Sequence, residues 1–491
     1  MPARYGRWAP SFAVTLFILF ILHLNSNFGV SNTTIVVETV TVQHPLNTSD
    51  NQYKLQSPTP SQSHGQSLNY GQRQGQSQVE SQIQSQPHET QVEAAVKAAA
   101  TPRPCLPLPG MEDILVVLKT GITESQQKVP VHVRTTLRCV PHKLIVSDFE
   151  EDIDGIRTHD VFRNTSSSLL EMPDFALYNR ARAGGRAGLT QQDLNKVPNG
   201  PFGMVDSPGW KLDKWKFLPM IHEARRFRPQ AKWYVFYEAD TYPIWTNLLG
   251  WLAHFDPDQK LYLGNQMMIG DDLFAHGGSG IVISHAALHA VADWHMRNEE
   301  HWNGVTQDHW AGDCLLGMAL SKTGIGLTWS APHTNERSVW EQDTLGETYG
   351  KNHWCVPPWT FHHMTPADVE FMWEFEQNWF YTGNHTLLLH RDIFYDLIEP
   401  SITDRSANWD NLAGEEVPNS GESSTKYECA EQCARTPECM QYKIDAHSKC
   451  LLSPKALRGN YAAGVDSGSM MWRVEARIAE RGECLEPLWL T

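Results

Sequence analysis

The chain is short of positive charge. Its 491 residues carry 40 Lys and Arg against 56 Asp and Glu, a formal net charge of -16. So acidic a surface repels phosphate backbones, which argues against nucleic acid as the main partner. A nucleoside diphosphate is still admissible, because a bound divalent cation neutralises such a ligand locally. Several catalytic signatures are also missing. No Cys-x-x-Cys pair and no histidine at finger spacing occurs, so the zinc alternative for the cysteines lacks its usual pattern. The absence of His-Glu-x-x-His removes the main support for a zinc hydrolase. Ile281 stands where the last glycine of a Gly-x-Ser-x-Gly elbow would be, which does the same for a serine hydrolase. No repeat at solenoid period is present.

What is present points to the secretory route. Of nine cysteines, Cys429, Cys433, Cys439, Cys450 and Cys484 cluster late in the chain. Clustering of that kind reads as a disulfide-stapled module in an oxidising compartment. Asn32, Asn47, Asn164 and Asn384 each open an Asn-x-Ser/Thr sequon, which agrees with a lumenal setting. Arg4 and Arg7 precede an apolar run from Trp8 to Leu24. A spanning helix needs about 17–25 residues, so the run is near the short limit. It ends in His23-Leu24-Asn25-Ser26-Asn27, with no small-x-small cleavage site. The reading is therefore an uncleaved signal anchor over 1–24, basic side cytoplasmic and the rest lumenal, rather than a cleaved signal peptide.

Length suggests about two to four domains. Residues 25–105 are rich in Gln, Ser, Pro, Thr and Gly. They cannot bury enough apolar area to offset their ordering entropy and read as a stem. Folded sequence begins near Met111, and the 18 Trp supply ample core. Continuous apolar runs at Ile114–Leu118, Leu144–Val146, Trp233–Tyr237, Leu261–Leu263 and Ile281–Ile283 read as buried strands. Helical periodicity marks Leu212–Phe227, and helix-like stretches cover Asn247–Phe255, Ala286–Trp294 and Trp310–Ser321. Alternating strands and helices predict an α/β layer with a mostly parallel sheet, with ligands at the carboxyl ends of its strands. The large domain is placed at 106–400, a loop-like linker at 401–424 and the Cys-rich module at 425–491.

Four constellations could carry chemistry. Glu238-Ala239-Asp240-Thr241-Tyr242 closes an apolar strand, and acids two apart can face one ligand. Hard oxygen donors there suit Mn²⁺ or Mg²⁺ shared with phosphates. Without a ligand, the pair would simply end a strand in solvent. Gly277-Gly278-Ser279-Gly280 precedes another strand, and its glycines allow close backbone approach or merely a tight turn. Asp313 opens a helix-like stretch, as a dipole-complementing acid or as a base toward a hydroxyl. His362-His363 follows Phe361, and neutral imidazole is a good Mn²⁺ ligand. On an extended segment adjacent side chains diverge, so one histidine at most is expected to bind.

The order and spacing of these pieces from Ile114 to Met364 resemble glycosyltransferase family 31, which holds the core 1 β-1,3-galactosyltransferase and Fringe-type enzymes. Fungal members of the core 1 type look closest. The matching pieces are Leu118-Lys119-Thr120-Gly121, Thr136-Leu137-Arg138-Cys139 and Lys214-Trp215-Lys216. They continue with Glu238–Tyr242 at the D-x-D position, Gly277–Gly280 at the G-G-A-G strand entry, Gly312-Asp313-Cys314-Leu315-Leu316-Gly317 at the D/E-D-x-x-x-G signature, and Phe361-His362. Two positions depart: Glu238 replaces the usual first Asp, and Gly312 stands where an acid is common.

The resemblance implies an A-type glycosyltransferase fold, Rossmann-like, and an inverting reaction. It implies a UDP-sugar donor, UDP-galactose first among candidates, with Mn²⁺ or Mg²⁺ and a glycan or glycoprotein acceptor. The setting would be the Golgi membrane, in single-pass type II orientation. Asp240 and His362 would hold the metal, with Glu238 supporting the metal shell or ribose, and Asp313 would be the base. Lys119, Thr120, Gly121, Arg138, Lys214, Gly277, Gly278 and Gly280 would bind the donor. A cell-wall galactofuranosyl or other hexosyl transferase, or a non-catalytic carbohydrate-binding protein, are the alternatives. The Cys429, Cys433, Cys439, Cys450 spacing resembles a PAN/apple module, a small disulfide-rich α+β unit, with Cys429–Cys450 and Cys433–Cys439 as expected bridges.

Overall fold

The computed structural model describes residues 104–194, 207–383, 385–414 and 425–491. The anchor over 1–24, the stem up to residue 103, and Asn32, Asn47 and Asn384 lie outside the described residues. Among the described residues no helix is long and apolar enough to cross a membrane.

Eight strands form the main sheet: β1 (Ile114–Lys119), β2 (Lys143–Ser147), β3 (Asp152–Ile153), β4 (Ile156–Asp160), β5 (Trp233–Glu238), β6 (Tyr262–Gly264), β7 (Ile281–Ser284) and β8 (Leu327–Trp329). Their order is β8-β6-β7-β5-β1-β2-β4-β3. β1 runs parallel to β5 and β2, β2 to β4, and β8 to β6. The expectation of a parallel-rich sheet holds, with two reversals: β7 is antiparallel to both β5 and β6, and the edge strand β3 is antiparallel to β4.

All of β1 is buried, which is why it reads as an unbroken apolar run rather than an alternating one. Its residues still divide by face. Leu115 and Val117 pack with α2 (Phe217–Phe227), α4 (His285–Arg297) and α5 (Gly312–Lys322). Ile114, Val116 and Leu118 pack on the other face with α1 (Ser125–Arg134) and α3 (Trp245–Leu252). The sheet is thus the middle layer of three. The helix expected over Leu212–Phe227 is not continuous. A short helix, Pro208–Asp213, and a 3₁₀ turn, Lys214–Lys216, precede α2.

The C-terminal part is a four-stranded antiparallel sheet, β9 (Ser406–Asp410), β10 (Gln441–Ile444), β11 (Cys450–Ser453) and β12 (Asn460–Ser469), in the order β9-β12-β10-β11. A helix from Lys426 to Arg435 packs on it through Cys429 and Cys433. This corrects the loop-like reading of 401–424, because β9 lies within that range and pairs with β12. β9 is an edge strand with no fully buried residue, and a bulge between Ala407 and Trp409 breaks its register, so no continuous apolar run marked it. The module is also not a separate bead. Met440, Ala456 and Val474 share one apolar core with Tyr242, Ile244, Trp354 and Met372.

The bridges Cys429–Cys450 and Cys433–Cys439 form as expected. Cys105 pairs with Cys139, and Cys314 is free and buried. Cys484 leaves the module and bonds to Cys355, 129 residues away. A cross-link over so long a loop contributes about 2–4 kcal/mol, largely by restricting the unfolded chain. Cys484→Ala is therefore expected to lower the melting temperature by several degrees while Cys429–Cys450 stays intact. Calorimetry with non-reducing peptide mapping checks both. An unchanged melting temperature would show that the bridge adds nothing.

Candidate active site

The parallel strands β1, β2 and β5 deliver charged residues to one carboxyl end. Lys119 is the register partner of Glu238, and its Nζ lies 3.1 Å from Glu238 and 2.5 Å from Asp213. The same ammonium stands 4.6 Å over the Phe217 ring. Lys216, contributed by the 3₁₀ turn, lies 3.0 Å from Asp148 and 3.4 Å from Asp213, and donates to the Thr120 carbonyl at 2.9 Å. Buried charges are tolerable only when paired in this way. Burial alone would depress the Lys119 and Lys216 pKa values. Asp213 and Glu238 raise the first, and Asp148 and Asp213 the second. Burial raises the Glu238 carboxyl, and Lys119 only partly offsets it. Gly121 is needed here for clearance, since a Cβ would sit 2.8 Å from Lys216 Nζ. Thr120 follows β1 with its hydroxyl buried and without a hydrogen-bond partner among the described residues.

Asp240 lies just beyond β5. The short strand Thr360–Phe361 pairs antiparallel with Tyr242–Pro243, and the Met364 N–H donates to the Asp240 carbonyl at 2.8 Å. This places His362 Nε2 3.3 Å from Asp240 Oδ1. His363 was expected to diverge. Its φ is 58°, so the chain is not extended there, and its ring stacks on His362 with centroids 3.9 Å apart. Ligand atoms of Asp240, His362 and His363 all lie within 4.8 Å of one another. One carboxylate with two imidazoles suits a transition divalent ion such as Mn²⁺. Glu238 stands beside this group, held by Lys119, rather than within it. Burial would raise the Asp240 carboxyl, but His362 and Lys128, the latter at 3.0 Å, hold it well below the usual range.

The glycines connect these groups. A Cβ on Gly278 would fall 2.3 Å from the His362 ring, and one on Gly277 3.0 Å from Glu238 Oε1. The Gly277 N–H donates to Asp313 Oδ2 at 2.9 Å, and the Cys314 N–H to Asp313 Oδ1 at 2.9 Å. The Gly277–Gly278 backbone therefore touches the metal-type cluster on one side and Asp313 on the other. Burial raises the Asp313 carboxyl, against the pull of those two N–H groups. Each carboxylate oxygen keeps a second lone pair for a hydroxyl. Gly280 has φ 88° and clears the Trp359 ring. Gly312 faces Phe217 and the Lys214 backbone too closely for any side chain, which explains why no acid precedes Asp313.

Not every expected residue joins this set. Lys214 turns away to Asp174 and the Gln307 carbonyl, each at 3.0 Å. Arg138 sits in the turn after α1, its N–H on the Thr135 carbonyl, next to the Cys139 bridge. Sequence reasoning missed Asp148, Asp213, Lys128, His276 and the participation of His363. Burial pushes the His276 imidazole down to about 3, and its Nδ1 lies 2.7 Å from Ser279 Oγ.

Behind the site, the Tyr242 hydroxyl donates to Glu376 of the helix Pro366–Gly383. Burial pushes the Glu376 carboxyl up to about 8. The folded state then holds a proton that the unfolded chain releases at a lower pH, so this group's contribution is full below the unfolded value near 4.5 and is lost as pH rises through about 8. Glu376→Gln is expected to flatten that decline, with melting temperatures closer to wild type at pH 5 than at pH 8. Parallel loss of stability at both values would contradict it.

Residues 212–337 match the family model described as Fringe-like. The match takes in Glu238, Asp240, Gly277–Gly280 and Asp313, and leaves Lys119 and His362 on either side of it. No curated protein matches the chain. This segment is similar to Fringe-like domains, and that likeness supports a glycosyltransferase reading.

Proposed function

We propose that the chain is a metal-dependent, inverting glycosyltransferase of the A-type fold that moves a hexose, galactose in the leading reading, from a UDP-sugar to a glycan or glycoprotein acceptor. The observation that carries this is the Gly277–Gly278 backbone, in contact with Asp313 on one side and with His362 of the Asp240 cluster on the other. Asp240, His362 and His363 would hold Mn²⁺, which when bound offsets the charge of the diphosphate. Asp313 accepts the proton of the acceptor hydroxyl. That oxygen bonds to the anomeric carbon from the face opposite the leaving group. The bond from the anomeric carbon to the phosphate oxygen breaks, and its electron pair leaves with UDP. Gly277 and Cys314 hold the Asp313 carboxylate in orientation through the step.

The N-terminal run would anchor the chain in the Golgi membrane with this site lumenal, and the PAN-like module would bind protein or carbohydrate. A panel of UDP-sugars with Mn²⁺ tests the reading. One donor should be hydrolysed or transferred, and chelation should stop it. Donor turnover undiminished in EDTA, or none with any donor, would remove it.

A further inference from the structure

A second concavity opens at the same sheet end and takes no part in the chemistry above. β8 pairs with β6, β6 with β7, and β7 with β5. Trp329 lies opposite Gly264, Gly264 opposite Ile281, and Ile281 opposite Phe236. Trp329 is therefore at the Glu238 end of the sheet, three strands across, or roughly 14 Å at ordinary strand spacing. A cleft of about 460 Å³ opens there, lined by Gln266, Thr328, Trp329, Tyr349, Lys351 and Trp489 among others.

Three features mark it as built for a ligand. Trp329 is 49% and Tyr349 64% exposed, with ring centroids 5.4 Å apart. Two large aromatics left open side by side offer apolar area that nothing in the fold uses. Tyr349 and Gly350 form the two-residue turn between Glu347–Thr348 and Lys351–Asn352, with φ of 51° and 72°. Such a turn favours Asn, Asp or Gly at its first position, and a bulky aromatic there is strained. The strain is maintained where the ring's placement matters. Gln266 is 4% exposed, and its Oε1 has no hydrogen-bond partner among the described residues. A buried acceptor without a partner is costly, and a ligand donor can recover that cost.

These features select a ligand class. A purely apolar ligand leaves Gln266 unmet. A purely ionic one makes no use of the rings. A pyranose has an apolar C–H face to lay on an indole or phenol ring and hydroxyls to donate at its rim.

We propose that the Trp329–Tyr349 cleft binds a neutral sugar unit of an oligosaccharide acceptor, at a distance from the bond being made. Its role in acceptor choice rests on the glycosyltransferase reading; the binding itself does not. The test is saturation-transfer NMR on the full chain with a panel of neutral linear tetrasaccharides, beside a separate titration with UDP and Mn²⁺. At least one tetrasaccharide should bind, and Trp329→Ala should weaken it at least tenfold, about 1.4 kcal/mol. Tyr349→Asn should also weaken it, while the melting temperature holds or rises because the turn is relieved. A merely structural tyrosine would give the opposite melting change. UDP binding should be untouched in both variants. No tetrasaccharide binding in a chain that still binds UDP, or a Trp329→Ala loss below tenfold, would overturn the proposal. Saccharide binding lost in Trp329→Ala by a chain that binds no UDP would support the cleft and count against the catalytic reading instead.

Discussion

Asp313→Asn is expected to lower sugar transfer at least about a hundredfold while UDP-sugar binding stays near wild type. A general base contributes about 10²–10⁴-fold, or roughly 3–5.5 kcal/mol of barrier. An acid that only complements a helix dipole contributes about 0.3–1 kcal/mol, and to stability rather than rate. Those magnitudes are far enough apart to decide between the roles. The geometry adds a second expectation. Asp313 accepts from both Gly277 and Cys314, and Asn has only one oxygen. One backbone donor loses its partner, at about 1–3 kcal/mol, so a drop of a few degrees in melting temperature accompanies the rate loss. The sum of both effects must be read on folded protein, with single-turnover transfer and donor titration on the same sample. A fall in transfer of less than tenfold would remove Asp313 as the base. Asp308, exposed at the end of the helix Glu299–Asp308, would then be next.

The central strands β1, β2, β5, β6 and β7 were legible because they are buried on both faces, so composition alone marks them. β3, β4 and β8 are partly exposed and carry no such run. Trp233–Glu238 and Ile281–Ser284 fall within a residue of their expected positions. Direction was not legible: nothing in Ile281-Val282-Ile283 says that β7 runs against β5. The edge strand β9 failed for the reverse reason, having no fully buried residue. In the site, Asp240, His362 and Asp313 could be named because each follows a recognisable local pattern. Asp148, Asp213, Lys128 and Lys216 could not be joined to them. Their pairing spans up to 112 residues of sequence, as between Lys128 and Asp240, and depends on the order of strands. His363 was misjudged because adjacency was converted to divergence by assuming an extended chain. A single positive φ reverses that inference.

Asp240→Asn is expected to abolish metal-dependent donor binding, and the charge balance around β1 explains why. A diphosphate leaving group needs positive charge nearby, and two buried lysines are close at hand. Neither is available. Lys119 and Lys216 are shared among Asp148, Asp213 and Glu238, two positive charges against three carboxylates. Lys128 is held between Glu124 and Asp240. On the proposed reading the charge comes from an ion on Asp240, His362 and His363. Residues that only support a metal's ligands are worth about 10–100-fold in affinity, so loss of the single carboxylate ligand should weaken Mn²⁺ at least about a hundredfold. Asn keeps the shape of the side chain, so the fold should survive with a similar circular dichroism spectrum. Calorimetric titration of Mn²⁺ and of UDP, each with and without chelator, separates the possibilities. If UDP binds wild-type protein with full affinity in EDTA, the lysine cluster supplies the charge and Asp240 has another task. If Asp240→Asn still binds Mn²⁺ as tightly as wild type, the ion sits elsewhere.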